Sequence, residues 1–404
     1  MSDLLIAEPE SVKNREKFLE LFTEQELQLM LTMAAEGDPL ADQVVKEQMQ
    51  ANRSKKGDVA KGIKEGLASL TDPLPALKQL LEESESIPDW VDQNSVTKGS
   101  ENYLLISPLW QSVALGPGAL THTYCSPTIA NILMKTGNLA NVALRRIAET
   151  TIWKQYVLMP DGMRVGNDGY IHTLEVRLLH ARVRLGMIKK GWDHEENGAP
   201  INQLDMLRTW LDFTYIPFAA LQKLGITYSE EEFHDLYHLW QLIAKQLGIP
   251  EEYFRLVYDQ ESAAKMTKMI DLVFGEPNEG SKILTDQMLT AVGHFLTSFL
   301  GLPPDTSVDL MHSFLTLIHG EEMAAKLGIK PNPTAALIPI YAAANAYEKQ
   351  LINSDPDYRE KTIQKTLAVF TELAKMVEGK TTYQRNVEEI GNVDILITPE
   401  SLSA

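Results

Sequence analysis

The sequence predicts an all-α protein, a multi-helical single large domain with helical extensions at both ends, and three observations predict it. Apolar residues recur at i, i+3 and i+4 through residues 15–35, 38–51, 57–84, 138–157, 170–190, 203–223, 229–247, 251–275, 281–300, 306–326 and 357–377. No stretch alternates apolar and polar residues in the two-residue period of a half-buried strand. Helix stops are frequent, with Gly191, Gly225, Gly248 and Gly328 after helical stretches and Pro250, Pro303 and Pro304 in connectors.

In chain order, the stretches up to about residue 95 form an N-terminal helical arm, residues 96–330 the main domain, and residues 331–404 a C-terminal helical segment with a polar tail after Gly379. The helix at 203 is preceded by Asn202, and Asn202, Gln203 and Asp205 cap it and pin the turn before it. At 229, Ser229 and Glu232 form a capping box in which each side chain satisfies the other's backbone N–H. No internal repeat or low-complexity linker separates the three parts.

A chain of 404 residues, 44% hydrophobic and 23% charged, can bury a large core. Its net charge of −18 disfavours nucleic acid and anionic membrane surfaces, which are bound through an excess of Lys and Arg. Cys125 is the sole cysteine, so an intrachain disulfide, a thiolate zinc cage and covalent haem attachment through Cys-x-x-Cys-His are excluded. The segment Met1–Glu8 lacks a basic region followed by an apolar one, and no apolar run reaches the roughly 20 residues of a membrane span, so a cytoplasmic protein is expected.

The most informative residue is His180, an imidazole on a helix face otherwise built from Val176, Leu179, Val183 and Met187. Such a residue is either a hydrogen-bonded core histidine or an axial ligand to a metal or haem. Arg177 and Arg184, three residues before and four after, disfavour the imidazolium and leave the neutral ring that a metal requires. They could also grip haem propionates. On the helix at 138–157, Val142, Arg146, Glu149/Thr150, Trp153 and Val157 share one stripe, where Arg146 and Thr150 interrupt an apolar face. A guanidinium there needs a buried anion, a carboxylate partner or an opening to water. A propionate meets that need, and so does an ordinary salt bridge. Together the two helices read as the walls of a globin-like haem pocket.

These residues resemble a family, the haem b oxygenases that include latex-clearing protein and the MpaB-type oxygenases. The resemblance covers about residues 90–330 and is carried by Thr136-Gly137, Arg146 and Thr150, Arg177-x-x-His180-x-x-x-Arg184, Gly198-Ala199-Pro200-Ile201-Asn202-Gln203-x-Asp205 and Asp212-Phe213-Thr214-Tyr215. Leu224-Gly225-Ile226, Leu239-Trp240 and Leu247-Gly248-Ile249-Pro250 fit the same pattern. It implies that His180 is the proximal ligand of haem b and that Arg146 and Thr150 organise the haem pocket. Glu149 departs from the lysine that rubber oxygenases can carry near this position, which makes it a candidate distal acid/base or water-holding group rather than an iron ligand. Its alternative is an ion pair with Arg145 or Arg146.

Rival constellations are poorer. Glu231-x-x-His234 is half of a di-iron motif with no second copy, and His234 and His238 lack the general-base glutamate of a His-Glu-x-x-His zinc site, Asp235 standing in its place. Cys125 lacks the glycine-rich approach of a haem-thiolate loop and reads as a core or helix-entry cysteine. The resemblance therefore implies a haem-dependent oxygenase acting with O2 on a small or medium-sized apolar intracellular substrate, unsaturated ones included. A haem carrier or sensor, or a cofactor-free helical scaffold, are the competing readings.

Overall fold

The computed structural model describes residues 14–136 and 139–374, with the side chains at 53–54, 135–147, 196 and 374 outside that description. Every regular element among the described residues is helical, as expected.

The N-terminal stretch divides. Helices α1 (Arg15–Leu19) and α2 (Glu24–Ala35) are separated by Thr23, whose hydroxyl accepts from the Glu26 N–H in a capping box. From α2, Leu27, Met30 and Leu31 enter the main core. Helices α3 (Pro39–Gln50), α4 (Arg53–Glu65) and α5 (Pro75–Glu85) instead build a smaller cluster, Val44, Val45, Ile63, Leu77 and Leu80 packing on Tyr170, Leu174, Leu178 and Ala181. The single helix expected over 57–84 is interrupted, because Pro73 and Pro75 cannot continue a helix that has already ended at Gly66.

Helix α6 (Gln93–Leu104) escapes the apolar-period reading because its buried face is small and polar: Ser95, Gly99, Ser100 and Asn102. It packs closely on the helix over Glu230–Gln246, and a Cβ on Gly99 would collide with the Asp235 carbonyl oxygen there. Helix α7 (Pro108–Val113) opens into a wide π-helical turn, Ala114–Leu120, around Pro117, followed by α8 (Thr121–Tyr124) and α9 (Pro127–Thr136). Proline has no N–H to give the turn, and the His319 Nε2 sits 3.0 and 2.9 Å from the Pro117 and Gly118 carbonyl oxygens.

Helices α10 (Leu139–Leu158) and α11 (Asp168–Lys189) form an antiparallel hairpin close to the expected limits. After the short α12 (His194–Asn197), the stretch expected as one helix breaks at Thr214 into α13 (Gln203–Phe213) and α14 (Tyr215–Lys223), since Pro217 would clash with the carbonyl one turn earlier in a continuous helix. Then follow α15 (Glu230–Gln246), α16 (Glu251–Phe254), α17 (Gln260–Val273), α18 (Glu279–Leu300), α19 (Pro304–His319), α20 (Glu321–Lys326), α21 (Ile338–Ser354) and α22 (Pro356–Ala374). The Ser229–Glu232 capping box starts α15 as predicted. Trp210, Phe218, Trp240, Phe254 and Phe314 are fully buried at the centre of the main core.

Candidate functional site: the wall between two antiparallel helices

The register of the α10–α11 hairpin is visible in one hydrogen bond. Trp153 Nε1 donates to Thr173 Oγ1 at 3.1 Å, and Tyr156 meets His172 edge-on at 4.8 Å between ring centres. Seven residues, two helical turns, from that bond in the direction of α11's C-terminus lie residue 146 on one helix and His180 on the other. Backbone pairing therefore brings their levels together across the hairpin. The side chains of Thr136 and Arg146, and the whole of Gly137, lie outside the described residues.

His180 stands on α11 with one ring nitrogen unsatisfied. Its Nδ1 is buried and has no hydrogen-bond partner, an arrangement that costs on the order of 1–3 kcal/mol unless something binds the nitrogen. Burial, reinforced by the Arg184 charge and opposed only by Asp38, drives its pKa down to about 4, so the imidazole is neutral. A single neutral imidazole is what a haem iron takes from a helix. Glu149 is buried on α10, Thr150 is half-buried beside it, and Trp153 extends the wall. Trp153 packs edge-on against Phe213 at 5.2 Å, and Phe213 stacks on Trp240 at 5.6 Å. These aromatic side chains close the inner end of the hairpin against water.

Arg177 and Arg184 do something other than await propionates. Arg177 donates from Nε to Asp38 Oδ2 at 2.6 Å and from Nη2 to Asp38 Oδ1 at 3.1 Å. Arg184 donates from Nη1 to Asp42 Oδ1 at 2.5 Å and from Nη2 to the Ile201 carbonyl at 2.9 Å. The motif Gly198–Gln203 joins the same clasp: Ala199 N–H donates to the Ala34 carbonyl at 2.9 Å, Gln203 N–H to that of Glu36 at 2.8 Å, and Gln203 Nε2 to that of Gly37 at 2.8 Å. Gly248, at φ +81°, leaves room for the Asp38–Arg177 pair, on which a Cβ would fall. Asn202 caps α13 by accepting from Asp205 N–H at 2.8 Å, as the sequence predicts. Several stretches behind the family resemblance thus converge on the turn between α2 and α3. A polar groove of about 760 Å³ opens beside this clasp, lined by Asp38, Asp42, Arg177, Gln203, Lys245 and Gly248. It lies on the α3 side of α11, away from the α10 wall.

A second polar cluster joins residues far apart in the sequence. His122 Nδ1 lies 2.5 Å from Asp212 Oδ1 and its Nε2 3.0 Å from Asp271 Oδ1, while Arg208 Nη1 donates to Asp271 at 2.8 Å. Thr123 Oγ1 donates to Asp212 Oδ2 at 2.6 Å, and His319 stacks over His122 at 6.2 Å. Two cations meet two carboxylates, Asp212 buried and Asp271 with its side chain 43% exposed. The partners are 63 or more residues apart, so no local spacing announces them.

The competing constellations are structural. Glu231 pairs with Lys98, His234 is exposed, and His238 accepts from the Asp92 N–H at 2.8 Å. Cys125 is buried against Met323, sulfur to sulfur 3.6 Å, and burial pushes its thiol up to about 12. Among the described residues, no group of three or more His, Cys, Asp or Glu could hold a metal ion, and no helix is long and apolar enough to cross a membrane.

Comparison with known proteins converges on one family. Residues 109–347, more than half of the chain, match the family described as ER-bound oxygenase mpaB/B'/Rubber oxygenase, catalytic domain. A rubber oxygenase from Streptomyces sp. (strain K30) is 22% identical over 265 residues, 64% of this chain, and the match spans 61% of that relative's length. The solved structure of latex clearing protein LCP in its closed state superposes with a TM-score of 0.63 at 17% identity, over 83% of this chain and 89% of the other, and so shares the fold.

Proposed function

Because the chain belongs to the family of MpaB-type and rubber-oxygenase catalytic domains, we propose that it is a haem b-dependent oxygenase that uses O2 to oxidise or cleave an apolar substrate, with unsaturated hydrocarbons, the class to which rubber belongs, foremost. The observation that carries this reading is the neutral imidazole of His180, whose buried Nδ1 has no partner, at the level of residue 146.

In this reading His180 holds the haem iron from the α11 side. Bound haem supplies the capacity to activate dioxygen, chemistry no side chain here provides. Thr150 and Arg146 set the polarity of the α10 side. Glu149, buried on the same helix, holds or moves a proton at its carboxylate. Trp153, Phe213 and Trp240 pack on one another and keep the α10 side apolar. Arg177 and Arg184, engaged with Asp38 and Asp42, act on the pocket through His180's helix.

The test is an absorption spectrum of wild type and His180→Ala after haem supplementation, followed by O2 uptake with apolar alkenes. A Soret band in the wild type that the variant loses or shifts, together with substrate-dependent O2 consumption, is expected. Absence of a band in both proteins overturns haem binding, and a band without O2 uptake on any alkene overturns the oxygenase activity.

A further inference from the structure

We propose that Asp38 and Asp42, on the turn before α3 and in its first turn, are positioning residues for His180: through Arg177 and Arg184 they clamp α11 at two points that bracket the imidazole. The proposal rests on the reading of His180 as the haem ligand.

Residues three before and four after a helical position lie on its face, one turn to either side. Arg177 and Arg184 therefore flank His180 along one stripe, and each is held by a carboxylate 139 or 142 residues away in sequence. One attachment would fix the His180 stripe of α11 at a single point. Two attachments, two helical turns apart, require that both ion pairs break together before the imidazole can swing. The clamp is itself rigid. Asp38 accepts the Ala41 N–H at 3.0 Å as the N-cap of α3, and Arg184 is tied to the Ile201 carbonyl. Tyr253 Oη donates to Glu36 Oε2 at 2.6 Å, and Gly37 leaves no space for a Cβ beside the Arg184 side chain.

Charge supports the same assignment. Arg177 is occupied by both oxygens of Asp38, and burial of the pair, 8% exposure at Arg177 and 6% at Asp38, makes an unmatched charge there costly. Despite that burial, the Arg177 guanidinium holds the Asp38 carboxyl below its ordinary range, so it stays ionised and bound.

The experiment uses the full chain in two forms. In the apoprotein, amide hydrogen exchange across residues 168–189 reports the clamp without any cofactor. In the haem-loaded protein, the ferric electron paramagnetic resonance spectrum and the haem dissociation rate report the ligand's orientation. Asp38→Asn/Asp42→Asn removes both charges at constant shape, and Asp38→Glu/Asp42→Glu retains them. For the asparagine pair we expect faster exchange in α11, altered g-values, and haem loss accelerated roughly 10- to 100-fold, the usual size of an outer-shell effect. The glutamate pair should restore the spectrum at least in part.

Faster exchange with an unchanged spectrum would reduce the clamp to a structural role and overturn the proposal. Tighter haem binding in the asparagine pair would do so too, because it would mean that the freed arginines seek propionates. A wild-type spectrum in His180→Ala would instead remove the ligand reading on which the proposal stands, whatever the exchange data show.

Discussion

Trp153 and Thr173 are joined by the indole N–H to hydroxyl bond that sets the α10–α11 register, and Thr173 in turn donates to the Gly169 carbonyl at 2.6 Å. Both residues are buried. Thr173→Val keeps the shape and leaves the indole N–H without a partner, at a cost of about 1–3 kcal/mol. Urea denaturation should show a lower midpoint with an unchanged slope, and an unchanged midpoint would mean that the bond does not hold the hairpin.

Gly248 occupies a backbone conformation at φ +81° and abuts the Asp38–Arg177 pair. Gly248→Ala introduces both left-handed strain and a carbon where the pair sits, so a loss of at least about 2 kcal/mol is expected. Gly191, at the same φ with nothing near its Cβ, provides the control. Equal losses at the two positions would show that strain alone matters and that the pair tolerates crowding.

The His122 cluster makes stability depend on alkaline pH. Burial and the Arg208 charge oppose protonation of His122, but the carboxylates of Asp271 and Asp212 outweigh them and raise its pKa to about 9. A base whose folded pKa is raised stabilises fully below its unfolded value near 6.5 and loses that contribution as pH climbs through 9. The loss is on the order of 3 kcal/mol. The stability difference between wild type and His122→Gln should shrink between pH 6.5 and pH 9.5, and a difference that stays constant across that range would contradict a charged His122.

Lys154 gives the opposite slope. Burial pushes its amine down to about 7, and its hydrogen bond is to the neutral Gln111 Oε1 at 3.2 Å. The folded protein holds this proton less tightly than the unfolded chain, so its penalty is complete below pH 7 and disappears by about pH 10.5. Lys154→Met should raise stability by roughly 1–3 kcal/mol at pH 6, the relief of charge burial less one lost hydrogen bond. Denaturation midpoints at pH 6 and pH 10.5 check this, and a destabilised variant at pH 6 would assign the amine a partner that matters more than its burial.

How much of this protein was legible beforehand depended on whether the signal was local. The long helices at 138–157, 170–190, 229–247 and 281–300 appear within a few residues of their expected limits, because an amphipathic stripe and a cap are properties of consecutive residues. Helix α6 was invisible because it packs through Ser95, Gly99 and Asn102, small residues that permit close approach without an apolar period. The sequence pattern runs through the breaks at Gly66 and Thr214, although a glycine at φ +84° ends the first helix and Pro217 interrupts the second.

For the site, the sequence by itself determined the residue types: a lone imidazole between two arginines on one helical face, and Arg146, Glu149 and Thr150 on the stripe of another. Tertiary structure alone decided that Arg177 and Arg184 belong to Asp38 and Asp42, that the Gly198–Gln203 stretch grips the end of α2, and that His122 sits between Asp212 and Asp271. The physical reason is that an ion pair has no sequence period. A buried charge demands a partner, but which of the chain's 55 acidic side chains supplies it is settled only when packing brings one within about 3 Å.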